Sequence, residues 1–195
     1  MSKERGIIFN TEMVKAILDG RKTQTRRVMN NQPCTLSGET ISVQQDDFNF
    51  RWAGDLHNDT SGWFPCPLGK VGDRLWVRET FKTGVCTEST IAYKATHKPS
   101  DLEEGWYEEI KWTPSIHMPR RYSRITLEIT DVRVERLKSA DDNEFKAEGY
   151  PLDRELTGGS MDPFCWFRNL WDSVSPTNFK YADNPWVWVI EFKRI

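Results

Sequence analysis

Short apolar runs separated by turn-forming clusters define this chain, and the period of each run sets the element it predicts. Gly6-Ile7-Ile8-Phe9 reads as a strand. Met13, Val14, Ile17 and Leu18 then fall on one helix face, which predicts a short helix from Thr11 to Asp19, capped by Asn10 or Thr11 and ended at Gly20. The Thr-rich basic segment after it suits a strand running to Val28. Leu75, Val77 and Glu79 alternate with Trp76, Arg78 and Thr80, giving a strand with one apolar and one mixed face, for which Ile91-Ala92-Tyr93 is the expected partner. Ile125, Leu127 and Ile129 alternate with Thr126, Glu128 and Thr130, and Val132 and Val134 continue the pattern. Ser139 is placed to cap a short helix through Glu144, Phe145 and Ala147 that Gly149 closes, followed by a loop containing Gly158-Gly159. Asp162-Pro163 opens a helix with the stripe Phe164, Phe167, Leu170, Trp171 and Val174. Trp186, Trp188, Ile190 and Phe192 alternate with Val187, Val189 and Glu191 in a last strand.

Two stretches fit this scheme less tightly. Residues 29–65 are polar, with extended character at Thr40–Val43 and Phe48–Trp52, and read as a hairpin-like insertion; 97–111 contains an acidic, aromatic loop. Pro114 and Pro119 exclude a regular helix before Arg124. The expectation is one domain over residues 1–195, insertions at 29–65 and 97–111, and an α+β, barrel-like fold with short flanking helices.

Composition narrows the function. With 195 residues, 37% of them hydrophobic and nine Trp, the chain can build a real core. A net charge of −2 argues against coating nucleic acid through bulk positive charge, so any such contact must come from a local patch. Cys34, Cys66, Cys86 and Cys165 are widely spaced and form no C-x-x-C pair, and His117 has no His or Cys at ligand spacing. Neither a metal nor a cofactor is expected. No apolar run approaches a membrane span or a signal peptide, which predicts a cytoplasmic protein with no membrane partner.

The densest chemistry lies in Gly20-Arg21-Lys22-Thr23-Gln24-Thr25-Arg26-Arg27, where four cations leave a helix end and enter a strand. Residue types alone allow either a solvated basic strand or a junction aiming a lysine, a hydroxyl and guanidinium groups into one pocket. Lys22 and Thr25 are three apart, and odd separations in a strand face opposite sides, so a pocket requires Lys22 on the turn or at a bulge. Arg120, Arg121 and Arg124 could join Arg26 and Arg27 in a phosphate-contacting rim, or form a solvated edge.

Gly20, Lys22, Thr25 and Arg27 match the pattern G-x-K-x-x-[ET]-x-R, and Gly72-Asp73-Arg74-Leu75-Trp76-Val77-Arg78-Glu79 and Val189-Ile190-Glu191-Phe192-Lys193 follow in order. In these three segments the chain resembles the ASCH family, RNA-associated domains with a PUA-like mixed β-barrel, and is similar to its longer phage- and prophage-encoded members. The resemblance implies RNA, single-stranded nucleic acid or a modified nucleoside as partner. Thr25 stands where most ASCH domains carry glutamate, a feature of the small acetylcytidine amidohydrolases, and that likeness implies Lys22, Thr25 and Glu148 as the catalytic set.

Three functions follow as expectations. The first is an RNA-, nucleobase- or nucleoside-binding domain whose pocket is lined by Lys22, Thr25, Arg27 and Glu148 and flanked by Arg21 and Arg26. The second is a hydrolase that deacetylates N-acylated cytidine, with Thr25 as nucleophile and Lys22 as base. The third, a nuclease, ranks last because no carboxylates fall at the spacing of a two-metal site.

Overall fold

A computed structural model describes residues 2–30, 32–33, 41–54, 62–85, 90–98, 101 and 109–195. Strand β1 (Glu4–Ile8) leads into helix α1 (Thr11–Leu18), whose first turn is closed by Asn10 accepting a hydrogen bond from the Met13 amide at 2.8 Å. Val14, Ala16 and Ile17 are its buried residues, as the apolar spacing requires. Gly20 turns the chain out at φ +77°, where a Cβ is costly, into β2 (Gln24–Val28). The segment read as an insertion contains β3 (Ile41–Asp46), β4 (Asn49–Gly54) and β5 (Phe64–Pro65), a separate antiparallel sheet. After it come β6 (Arg74–Arg78), β7 (Phe81–Thr83), β8 (Ile91–Tyr93) and the long β9 (Thr126–Arg136). Helices α2 (Asp142–Ala147), α3 (Leu152–Thr157) and α4 (Asp162–Val174) precede β10 (Trp186–Arg194).

The architecture is mixed α/β, organised on a five-stranded sheet in the order β1-β6-β9-β10-β2. Strand β1 runs parallel to β6 with Ile7 beside Val77, and the remaining pairs are antiparallel. No ladder joins β1 to β2 among the described residues, so the expected barrel is not closed. The two edges are linked there by a side chain, the Arg27 guanidinium donating to the Ile8 carbonyl at 2.8 Å.

Strand β10 is interior and buried on both faces. Trp186, Trp188, Ile190 and Phe192 join the larger core with Ile7, Val77, Leu127, Ile129 and the α1 side chains. Val187 and Val189 point the other way, against Phe145, Phe167 and Trp171 of α2 and α4. A β-branched pair between two aromatic layers explains why the strand carries almost no polar residue before Glu191.

Three expectations need correction. Ile91–Tyr93 pairs with β7, not with β6, because the chain reverses at Gly84 (φ +70°) and brings Phe81 opposite Tyr93. Asp141, not Ser139, caps α2: its carboxylate accepts from the Glu144 amide at 2.9 Å while Glu144 reaches back to the Asp141 amide at 3.1 Å. The stretch read as a loop before Gly158 contains α3, which has exposed Leu152 and Leu156 and no buried residue. Within the 29–65 segment, β3 and β4 pair as a hairpin, and Phe50 and Trp52, 2% and 1% exposed, pack edge-on or tilted against Trp188 and Trp186. Most of 97–111, together with Cys34 and Cys86, lies outside the described residues.

Candidate functional site

The turn after α1 is held by its own backbone: the Arg21 and Lys22 amides both donate to the Ala16 carbonyl, at 2.9 and 3.0 Å. Lys22 precedes β2 and forms a single antiparallel bridge with Glu148, and the Thr23 amide donates to Ala147 at 3.0 Å. Lys22 therefore lies ahead of the strand that holds Thr25, in a bridge of its own. The bridge seats Lys22 at the C-terminal end of α2, where unpaired carbonyls favour a cation.

Lys22 is 2% exposed. Its Nζ donates to the Glu148 carboxylate at 2.7 Å and to the Glu148 carbonyl at 2.9 Å, 5.6 Å from the centre of the Phe9 ring. Burial pushes the Lys22 ammonium below its usual range, with the Glu148 charge opposing the shift. Arg26 takes the other Glu148 oxygen at 3.2 Å and lies 5.7 Å from the Phe167 ring.

Behind this pair lies a network that the sequence did not disclose. Arg26 Nη2 is 3.0 Å from Glu144 and 3.9 Å from Glu135. Arg133 meets Glu135 at 2.6 Å, Glu144 at 2.7 Å, Asp131 at 3.0 Å and Glu191 at 2.5 Å, and donates to Gln24 at 3.1 Å. Burial alone would lower the Arg133 pKa, and the hydrogen bonds to Glu191, Glu135, Glu144 and Asp131 outweigh it and raise it. Three cations (Lys22, Arg26, Arg133) therefore face five carboxylates (Asp131, Glu135, Glu144, Glu148, Glu191). A phosphate brought here would meet an acidic surplus, whereas a neutral ligand with N–H donors would not. Arg21 Nε, Gln24 Nε2 and Arg26 Nε are buried donors with no acceptor among the described residues.

A recess of about 240 Å³ opens beside Glu148, lined by Arg21, Gly149, Met13, Trp166 and Leu170 among others. Arg21 is braced at its rim by donating to the Gly149 and Tyr150 carbonyls, both at 3.0 Å, and by Asp19 at 3.0 Å. Gly149 (φ +104°) is required here, because a Cβ would fall 2.9 Å from the Ala16 side chain and 3.2 Å from that of Lys22. Trp166 stands edge-on to Tyr150, their rings 5.6 Å apart.

The other expected site residues are distributed differently. Thr25 is 2% exposed, opposite Ile190 in the ladder, and no hydrogen bond joins it to Lys22 or Glu148 among the described residues. It shares a strand face with Arg27, which lies 5.4 Å from the Phe9 ring. Arg26 is buried, so it belongs to no surface rim. Arg120 and Arg124 sit toward the opposite edge of the sheet and are already paired, Arg120 with Glu4 at 3.0 Å and Arg124 through two bonds to buried Glu79 at 2.9 and 3.0 Å. Arg121 lies over the Tyr122 ring at 4.7 Å. Two signals could have found the hidden network: polar residues at every second position, as Gln24/Arg26 and Asp131/Arg133/Glu135, and the four-residue spacing that puts Glu144 and Glu148 on one face of α2.

Among the described residues no three His, Cys, Asp or Glu side chains are grouped to hold a metal ion, and no helix is long and apolar enough to cross a membrane. No family model matches the sequence. No curated protein matches it either. Among solved structures, the high-resolution crystal structure of an ASCH domain from Lactobacillus crispatus JV V101 aligns over 98% of this chain and 79% of that one, with 11% identity and a TM-score of 0.38. A likeness that slight assigns neither family nor function.

Proposed function

We propose that this chain binds a nucleobase or nucleoside, free or within RNA, in the recess beside Glu148. The observation that carries the proposal is the pairing of a concave wall, formed by Met13, Trp166 and Leu170, with polar groups fixed from behind, Glu148 by Lys22 and Arg26 and Arg21 by two carbonyls. Rigid polar groups in an apolar recess fix orientation, and an aromatic ring offers a face or edge to a base. The volume is below the roughly 300–1,000 Å³ of sites for drug-sized ligands, which suits one base. The acidic surplus behind Glu148 favours recognition of base and sugar over phosphate. The motif of Gly20, Lys22, Thr25 and Arg27 supports the same reading, with an ASCH-type, PUA-like domain in the cytoplasm as its setting.

Titration with cytidine, acetylcytidine and a short single-stranded RNA tests it. Arg21→Ala and Trp166→Ala should each weaken binding by roughly tenfold with the fold intact. Binding unchanged in both variants sinks the proposal.

A second reading, hydrolysis of an N-acylated cytidine, is favoured by one observation: burial lowers the Lys22 pKa, the direction a general base needs. It requires the Thr25 hydroxyl to attack the N-acyl carbonyl while its proton passes to Lys22 and from there to the departing amine, so that the amide C–N bond breaks, cytidine leaves, and water then releases acetate from the acyl-threonine. Acetate release by the unmutated chain, lost in Thr25→Ala and partly kept in Thr25→Ser, would establish this reading; no release would remove it.

A further inference from the structure

A second cleft, of about 410 Å³, lies between β1, the tip of the β3–β4 hairpin and the turn before β6. Its floor is built around a buried carboxylate. Asp73 is 4% exposed and accepts from the Lys3 amide at 2.8 Å, the Lys70 amide at 3.2 Å and Arg5 at 3.4 Å. Burial pushes the Asp73 carboxyl up, and the two amides with Arg5 outweigh it and hold it below its usual range, so its charge is already spent on the protein. Gly69 (φ +127°) permits this packing, since a Cβ there would lie 2.9 Å from the Asp73 carboxylate and 3.1 Å from Arg5.

Above that floor the charge is positive, although Lys70 together with Arg5 also helps to hold the Asp73 charge. Lys3 and Lys70 are exposed, and neither ammonium has a carboxylate partner among the described residues. Lys70 Nζ rests 4.5 Å from the centre of the Phe48 ring, a contact weak enough for an anion to replace. Phe48 is placed at the cleft by the hairpin turn, where Asp47 adopts φ +52°, and Asp47 is the remaining carboxylate of the lining. Two exposed ammonium groups suit a phosphate, an aromatic ring suits a base, and the Asp47 carboxylate suits ribose hydroxyls.

From this geometry we infer that the cleft formed by Lys3, Arg5, Asp47, Phe48 and Lys70 is a nucleotide-binding site, separate from the recess beside Glu148 and independent of the reading given to that recess. It takes a nucleoside phosphate, either free or as one residue of a single strand.

Calorimetric titration of the full chain with 5′-AMP, adenosine, inorganic phosphate and a short oligoribonucleotide tests this. Lys3→Gln combined with Lys70→Gln should weaken AMP binding by roughly tenfold or more and flatten its salt dependence. Both residues are exposed and neither forms an ion pair among the described residues, so the double variant should stay folded and melt close to the parent. Phe48→Leu should weaken AMP more than inorganic phosphate. If the oligoribonucleotide alone binds, with the same sensitivity to Lys3 and Lys70, the site takes a strand; if AMP binds as well, free nucleotides are ligands too. Inorganic phosphate binding as tightly as AMP overturns the assignment to nucleotides. AMP binding weakened by Arg21→Ala and untouched by the Lys3 and Lys70 changes places the nucleotide in the other recess and overturns it as well. So does the absence of binding by both AMP and the oligoribonucleotide.

Discussion

Lys22 and Glu148, 126 residues apart, are bonded twice, the ammonium reaching both the carboxylate at 2.7 Å and the backbone carbonyl of the same residue at 2.9 Å. Removing Glu148 leaves the buried Lys22 ammonium without its counter-ion, which costs about 3–5 kcal/mol, a large part of a typical domain's stability, and removing Lys22 leaves Glu148 with Arg26 as its remaining cation. Glu148→Ala and Lys22→Ala should each lower the urea midpoint sharply. The double variant should lose much less than the sum, because the second change removes the charge that the first left unpaired. Additive losses would mean the two residues do not act as a pair.

Arg26 should behave as a structural cation and not as a phosphate contact. Arg26→Ala takes one of two cationic partners from each of Glu148 and Glu144 and should destabilise the chain, while the salt slope of any RNA binding stays unchanged, since no counterion is displaced by a buried guanidinium. A flattened slope with an undisturbed melting curve would return Arg26 to an interface.

Asp73 should contribute to acid sensitivity. Its folded-state pKa lies below the unfolded value of 3.8, so the folded state binds fewer protons there than the unfolded chain. The stability it supplies is complete above that unfolded value and is lost as pH falls through the lower folded one. Asp73→Asn should be less stable than the parent at neutral pH and lose less on acidification. The measurement is urea unfolding between neutral pH and about pH 2, a range that spans ordinary carboxylate titration, and parallel pH profiles for the two proteins would contradict the assignment.

The β3–β4 hairpin should prove part of the main fold. Trp52→Ala removes a ring lodged against Trp186 and Phe64, and large aromatic truncations in a core cost about 3–5 kcal/mol. Chemical denaturation should show a single transition at a much lower midpoint. A variant within about 0.5 kcal/mol of the parent, the range of ordinary surface changes, would make the hairpin an appendage after all.

Elements with a strong period were legible from the chain alone: α1 through Met13, Val14 and Ile17, α4 through Asp162-Pro163 and Phe167, β9 through Leu127 and Ile129. The meeting of Lys22 with Glu148 was legible only because a family pattern suggested it; nothing in local sequence couples a turn to the end of a helix so far away. The acidic network was hidden for a different reason. Arg133 and Glu135 look like the solvated side of a strand until Arg26 and Glu144 cover them, and that covering is a tertiary event. The carboxylate partners of Arg120 and Arg124 were likewise invisible, since guanidinium groups aimed at solvent and at Glu4 or Glu79 look the same in a sequence.

The position of β10 between β9 and β2 also dictates the order in which this molecule can assemble. Among the described residues, strand β2 finds its one ladder in β10, with Thr25 opposite Ile190 and Val28 opposite Val187. Until that distant segment arrives, the backbone of β2 has no strand to bond to, and the turn carrying Lys22 has no sheet beneath it. Closing so long a loop is slow, so the β6–β9 pairing and α4 should form ahead of it, and the ion pairs around Glu148 should be among the last native contacts made. Rapid-mixing refolding would therefore show β-sheet signal before Lys22 and Glu148 are buried together.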